Sequence, residues 1–224
     1  MIWQQISQVW QYCIEEAWDA YCHGSLPHGA VVVDAEGNIV ARGRNRIREQ
    51  EGAGRQFAKN RLAHAEMNAL MVLDWQTVNV YGCTLYSLIE PCPMCIGAVR
   101  MAHMRGVHYA VRDGGAGGTS LIDKTPFFKS GNLLVSGPAG DELELVLMAL
   151  QVEATLSQSH PSAMEWIEQL AHDLPIAIEL GTRLSDKHLL TQWKEAGKDA
   201  SFVVDHMHEQ LLQLNSFTPN NTAH

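Results

Sequence analysis

Long apolar runs are missing from this sequence. No stretch approaches the roughly 18 consecutive apolar residues of a membrane span, so a membrane-embedded chain is not expected. Met1 to Tyr12 carries no basic flank, and Gln and Ser interrupt its apolar residues, so it does not read as a signal peptide. Basic charge is in deficit: 16 Lys and Arg face 25 Asp and Glu, for a net charge of −9. That balance disfavours general nucleic-acid binding. Cysteine is sparse and odd in number, five in all, with a single C-x-x-C. An odd set with two residues in a metal-type pair does not make a disulfide framework, and reduced thiolates point to the cytoplasm. Cys13, Cys22 and Cys83 read as small buried hydrophobes.

What is present is concentrated in two short stretches, His64-Ala65-Glu66 and Pro91-Cys92-Pro93-Met94-Cys95. One imidazole and two thiolates are the donors that zinc prefers, and three protein ligands leave the fourth position for water, the mark of a catalytic site. Zinc lowers the pKa of bound water to about 7, giving a nucleophile at neutral pH. Glu66, two residues after the histidine and not needed as a ligand, is the candidate general base and acid. Pro93 suits the first position of a helix. Cys92 and Cys95 then stand at a helix N-terminus, whose partial positive charge favours thiolate. The competing reading is a structural zinc knot completed by Cys83, His103 or His108. Such sites come as paired couples, and a knot has no use for Glu66.

The H-x-E…P-C-x-x-C arrangement matches the signature of zinc-dependent base deaminases. Over residues 26 to 156 the chain resembles the cytidine-deaminase-like superfamily, in the branch with one His and two Cys ligands. Pro27-His28-Gly29-Ala30-Val31-Val32-Val33, Gly43-Arg44-Asn45-Arg46, Glu90 to Ala98 and Val111-Arg112-Asp113 carry the likeness beside the core motif. It is closest to the subgroup of tRNA adenosine deaminases, guanine deaminases and fungal-type cytosine deaminases. The resemblance implies a three-layer α/β/α fold and hydrolytic deamination with release of ammonia. It also implies that Asn45 hydrogen-bonds the substrate and that the chain self-associates, with a homodimer the expectation. Ala65 is a further candidate for substrate binding; His28 reads either as a substrate contact or as a turn histidine, and Asp113 either as a pocket residue or as a turn acid.

Apolar residues from Ile2 to Ala17 recur at helical spacing, so residues 2–22 are expected to form the first helix. Strands follow at Ala30–Val33 and Ile39–Ile47, then a loop over 48–61 and a helix from about Ala63 to Leu73. Cys83–Ser87 is a strand, Pro93–Met104 a helix, Val107–Val111 a strand, and Asp113–Ser120 a glycine-rich loop, mobile by the resemblance. Leu133–Val135 is a short strand before a helix from Asp141 to about Ser157. This alternation is that of an α/β fold. His160-Pro161 marks a boundary, giving a deaminase domain over 1–158 and an all-helical extension over 159–224 with a frayed tail from Phe217. The apolar faces of the extension must be covered by the core or by a second subunit.

Charge is uneven. Residues 42–61 hold seven basic groups against Glu49 and Glu51, a local +5 that leaves −14 on the remainder. Arg42, Arg44, Arg46 and Arg48 alternate along a strand-like stretch and so share one face, with Asn45 on the other. The stripe reads either as a solvated, acid-paired edge or as a phosphate-contacting rim. Trp75, Phe127 and Phe128 are either core residues or platforms for a flat base. A strongly acidic remainder repels a long polyanion, so the first function expected is deamination of a free nucleobase, nucleoside or related aminated heterocycle. The alternatives are tRNA adenosine-to-inosine deamination, with the base extruded into the pocket, and a non-catalytic zinc-stabilised interaction module. The intact Glu66 speaks against the last.

Overall fold

The structure, a computed structural model, describes residues 1–158 and 163–217. It resolves into two compact units: Ile6–Gly140, and the residues from Asp141 onward together with Met1–Gln5.

The first unit is built on a five-stranded sheet of β1 (Gly29–Val33), β2 (Ile39–Arg44), β3 (Thr84–Ile89), β4 (Gly106–Val111) and β5 (Leu134–Ser136), in spatial order β2-β1-β3-β4-β5. β1 runs antiparallel to both β2 and β3, whereas β3, β4 and β5 are parallel. Parallel neighbours need a crossover. Between β3 and β4 the helix α3 (Pro93–Met101) supplies it, and the short α4 (Pro126–Lys129) lies in the connection from β4 to β5.

Strand alternation sorts the two faces. Ala30, Val32, Leu85 and Val107 join Ala65, Ala69 and Leu70 of α2 (Ala65–Val72), and Ile96 and Val99 of α3, in one buried cluster. The opposite face meets α1 (Gln8–Cys22), where Cys13 Sγ lies 3.6 Å from the Tyr86 carbonyl and Trp10 sets its edge on the Tyr86 ring at 5.2 Å. The three-layer arrangement expected of the fold is therefore present. Gly43 marks the closest approach of α2 to the sheet: a Cβ there would collide with the Ala65 carbonyl and the Ala69 amide. Only glycine lets the N-terminal end of α2 sit this low.

The second unit comprises α5 (Asp141–Ser157), α6 (Ala163–Ala171), α7 (Pro175–Asp186), α8 (Leu189–Glu195) and α9 (Ala200–Phe217). α5, α7 and α9 pack on one another, burying Leu147, Leu150, Leu180, Leu184, Val203, Met207 and Leu211. The apolar faces of these helices thus cover each other, where the sequence had suggested an external surface.

Two boundaries differ from the sequence reading. α5, expected within the deaminase domain, belongs to the helical unit, because its apolar side is matched by α7 and α9. The first helix starts at Gln8, not Ile2. Trp3–Gln5 form a 3-10 turn held in the helical unit, where the Trp3 amide donates to Asp205 Oδ1 at 2.9 Å. His160-Pro161 and residues 218–224 lie outside the described residues. Among the described residues, no helix is long and apolar enough to cross a membrane.

Candidate metal centre

Two helix starts converge on one point. His64 is the N-cap of α2 and Cys92 the N-cap of α3; both have extended backbone, and neither side chain caps its own helix. Pro93 follows at the first helical position, where a missing N–H is no loss. The side chains that could have capped turn instead toward each other. Cys92 Sγ and Cys95 Sγ lie 3.7 and 3.6 Å from His64 Nδ1. All three ligand atoms fall within 4.8 Å of one another.

This triangle fits zinc. A tetrahedral ion with Zn–S of about 2.3 Å and Zn–N of about 2.0 Å sets S···N separations of about 3.5 Å. The donor set, one imidazole and two sulfurs, has the matching softness. The electrostatics agree. Hydrogen bonding from Cys95, then from His64, brings the Cys92 thiol down to about 4, so it stands as thiolate. Cys95 is held well above the usual thiol range by its bond to Cys92 and by burial. His64 is raised chiefly by its contact with Cys92. Metal ligation needs deprotonated thiols, and the lowered Cys92 thiol meets that need.

Glu66 sits in the first turn of α2, 2% exposed. Its carboxyl accepts from the Cys95 thiol, and burial raises it above the ordinary carboxylate range. A buried acid touching a metal-ligand cluster is placed to exchange protons with a nucleophile there.

Asn45 follows the last residue of β2. Its amide donates to the His28 carbonyl at 3.0 Å, and the next amide, of Arg46, donates to the carbonyl of Ala63, the residue before His64. Asn45 Oδ1 accepts from the Ile47 amide at 3.1 Å, while Nδ2 is buried with no protein partner. An orphaned buried donor carries a penalty of about 1–3 kcal/mol until it finds an acceptor. Ala65 is fully buried under the α2 start. Asp113 Oδ1 accepts from the Gly115 and Ala116 amides and so closes a turn.

The arginine stripe is not a rim. Arg42 bonds to Glu15 and Glu16 of α1, Arg44 to Asp19 and Glu49, and Arg46 to Glu49. Strand geometry also ends at Arg44, so the alternation does not continue to Arg48. Trp75 is half exposed, with its indole N–H given to the Leu70 carbonyl, and Phe127 lies under the Arg100 guanidinium. Phe128 packs against the core.

Three residues that sequence reasoning passed over hold the site's surroundings. Asn68 is fully buried on α2; its side chain accepts from the Phe57 amide and donates to the Arg44 and Phe57 carbonyls, tying the 45–62 loop to the ligand helix. Its signal was an amide side chain one helical turn beyond His64 in an otherwise apolar helix. Glu49 gathers Arg44 and Arg46. Glu90, directly before Pro91, binds the glycine-rich loop at both ends, so that loop is pinned where mobility was expected.

Comparison with known proteins places these motifs. The model of the cytidine and deoxycytidylate deaminase zinc-binding region matches residues 3–111. A tRNA-specific adenosine deaminase of Bacillus subtilis is 40% identical over 115 residues, 48% of this chain and 64% of that protein. Guanine deaminase of the same organism is 36% identical over 90 residues, 38% of this chain and 49% of its own length. The chain thus spans less than two thirds of these relatives. In fold, it superposes on a guanine deaminase from Nitrosomonas europaea with a TM-score of 0.50 at 22% identity, over 65% of this chain and 81% of that one.

Proposed function

This chain belongs to the cytidine and deoxycytidylate deaminase zinc-binding family, and from that premise we propose that it is a zinc-dependent hydrolytic deaminase of a free nucleobase, nucleoside or related aminated heterocycle. The observation that carries the reading is Glu66, buried against Cys95 at the edge of the His64–Cys92–Cys95 triangle.

His64, Cys92 and Cys95 would hold zinc, which supplies a water molecule made nucleophilic near neutral pH. Glu66 takes the proton from that water as its oxygen adds to the ring carbon bearing the amine. The same carboxyl delivers that proton to the ring nitrogen, then takes the remaining proton of the added hydroxyl and passes it to the departing amine. The C–N bond breaks, ammonia leaves, and the ring keeps a carbonyl. Asn45 Nδ2, without a protein acceptor, donates to a heteroatom of the bound ring. Its amide bond to His28 sets His28 beside the same wall.

A small substrate is supported by the fate of the basic stripe. Arg42, Arg44 and Arg46 are neutralised by Glu15, Glu16, Asp19 and Glu49 and do not present a cationic track to a phosphate backbone. A net charge of −9 works against the counterion release that RNA affinity rests on. The second reading is adenosine-to-inosine deamination in tRNA, favoured by the 40% identity to the Bacillus tRNA-specific protein. We expect an isologous homodimer in either case.

Ammonia release from a panel of purines, pyrimidines, their nucleosides and related heterocycles tests the proposal, with tRNA assayed in parallel for inosine. Turnover of a free heterocycle is the expected result. Inosine in tRNA with no activity on any free heterocycle reverses the order of the two readings, and inactivity on both by zinc-loaded protein removes them.

A further inference from the structure

We propose that Glu90 is a positioning residue for the ligand Cys92, acting by stapling the 113–120 loop onto the Pro91–Cys92 turn. The inference rests on the assignment of Cys92 as a zinc ligand.

One carboxylate gathers both ends of the loop. Glu90 Oε2 accepts from the Asp113 amide at 3.3 Å, and Oε1 accepts from the Thr119 amide at 3.2 Å and from the Thr119 hydroxyl. The loop closes on itself through the Asp113 carboxylate and through the Gly117 amide, which donates to the Asp113 carbonyl at 3.0 Å. It then meets the ligand turn directly: the Gly118 amide donates to the Pro91 carbonyl at 2.8 Å. A Cβ on Gly118 would stand 2.7 Å from the Cys92 carbonyl carbon and from Pro93 N, so glycine alone permits that approach. Glu90 is anchored from below by its own amide, which donates to the Val111 carbonyl at 2.7 Å as the β3–β4 ladder ends.

The consequence is mechanical. Cys92 stands at an N-cap, where the first helical N–H groups have no intrahelical partner and the chain frays most readily. Pro91 and Pro93 remove one amide on each side of Cys92, so this turn has few backbone donors of its own. The bond from Gly118 to the Pro91 carbonyl compensates, and Glu90 keeps Gly118 in place. Partners that orient a metal ligand without touching the metal typically change metal affinity 10–100-fold, and the same scale applies here to the rate of zinc loss.

The test uses the full chain loaded with zinc, transferred into a chromogenic chelator and followed by absorbance. Glu90→Ala is expected to release zinc at least about 10-fold faster than wild type. Thr119→Val, which removes the hydroxyl bond but keeps the Thr119 amide, is expected to give a smaller acceleration in the same direction. Glu90→Gln retains one acceptor and should fall between Glu90→Ala and wild type. Thermal midpoints of the zinc-free proteins separate positioning from general weakening: they should move little across the series while release rates spread. Equal release rates for wild type, Thr119→Val and Glu90→Gln would overturn the proposal, even if Glu90→Ala fails to fold. So would release rates that simply track the zinc-free midpoints. Wild-type protein that takes up no zinc defeats the metal assignment itself. Zinc uptake without deamination leaves the inference standing and removes only the function.

Discussion

Replacing Glu66 by Gln isolates proton transfer from everything else the residue does. The amide matches the carboxylate in shape, so the 2%-exposed site keeps its packing and gains no cavity. Folding has no reason to suffer, since burial already disfavours the charge that Gln lacks and so weakens Glu66 as an acid. The three ligand atoms are untouched, so about one zinc per chain should remain. What disappears is the only group argued to move protons in both halves of the reaction. A positioned acid–base residue contributes about 10²–10⁴-fold, equivalent to about 3–5 kcal/mol of barrier. We expect Glu66→Gln to lose at least about 100-fold in kcat at saturating substrate, with KM changed far less. Coupled ammonia detection gives the rate, and metal analysis with circular dichroism verifies the zinc and the fold. A zinc-loaded, folded Glu66→Gln protein turning over near the wild-type rate would refute the assignment.

Cys92→Ala and Cys95→Ala should each purify with little zinc, because removing a thiolate leaves two protein donors; full occupancy in either, by metal analysis, rejects that ligand. Asn45→Ala should raise KM by about 10-fold or more, the scale of one lost hydrogen bond to a buried partner; an unchanged KM removes Asn45 from the substrate wall. Glu49→Gln should lower stability by about 2–3 kcal/mol in urea unfolding. That is less than the 3–5 kcal/mol of a fully stripped buried pair, because Asp19 still faces Arg44; an unchanged midpoint shows the buried arginines to be adequately paired without it. His108 is held below the usual imidazole value by burial, so the folded state binds its proton less readily than the unfolded one. Stability from this group is present above the unfolded imidazole value of about 6.5 and is lost as pH falls from there through the lower folded value; comparing His108→Phe with wild type at pH 7.5 and 5.5 should show a smaller acid loss in the variant, and an equal loss excludes the effect.

The cluster of His64, Cys92 and Cys95 was legible in the sequence because the chemistry of a metal ligand depends on residue type and spacing. Each candidate ligand sits in a local motif, and the structure brings the two helix starts together. Strands and helices of the core were legible to within a few residues for the same reason: alternation and helical period are local. What escaped was pairing across the chain. Ile39–Ile47 read as one strand because its alternation runs on, yet Asn45 Oδ1 takes the Ile47 amide and turns the chain at Arg44. The arginine stripe gave no hint that Glu15, Glu16 and Asp19, some 25 residues earlier, would neutralise it. The loop over 113–120 read as mobile only by the resemblance, while its bonds to Glu90 reach across 23 to 29 positions. The assignment of α5 failed similarly, since a helix with an apolar side does not declare which neighbour will cover it.

The ligand spacing has one more consequence, in chain entropy. Cys92 and Cys95 are three apart on one helix, and joining them confines nothing that α3 has not already fixed. His64 is 28 residues from Cys92. A cross-link over that span, treated as a disulfide would be, withdraws about 3.6 kcal/mol of freedom from the unfolded chain. The imidazole is therefore the single bond through which the metal fastens α2 to α3, and the intervening strand β3 with them. Stripping zinc should loosen amide protection mainly along α2, while α3 stays protected, and His64→Ala should reproduce that pattern with metal present. In a zinc-poor cell the first cost would then fall on the integrity of the α2 end, before any question of turnover arises.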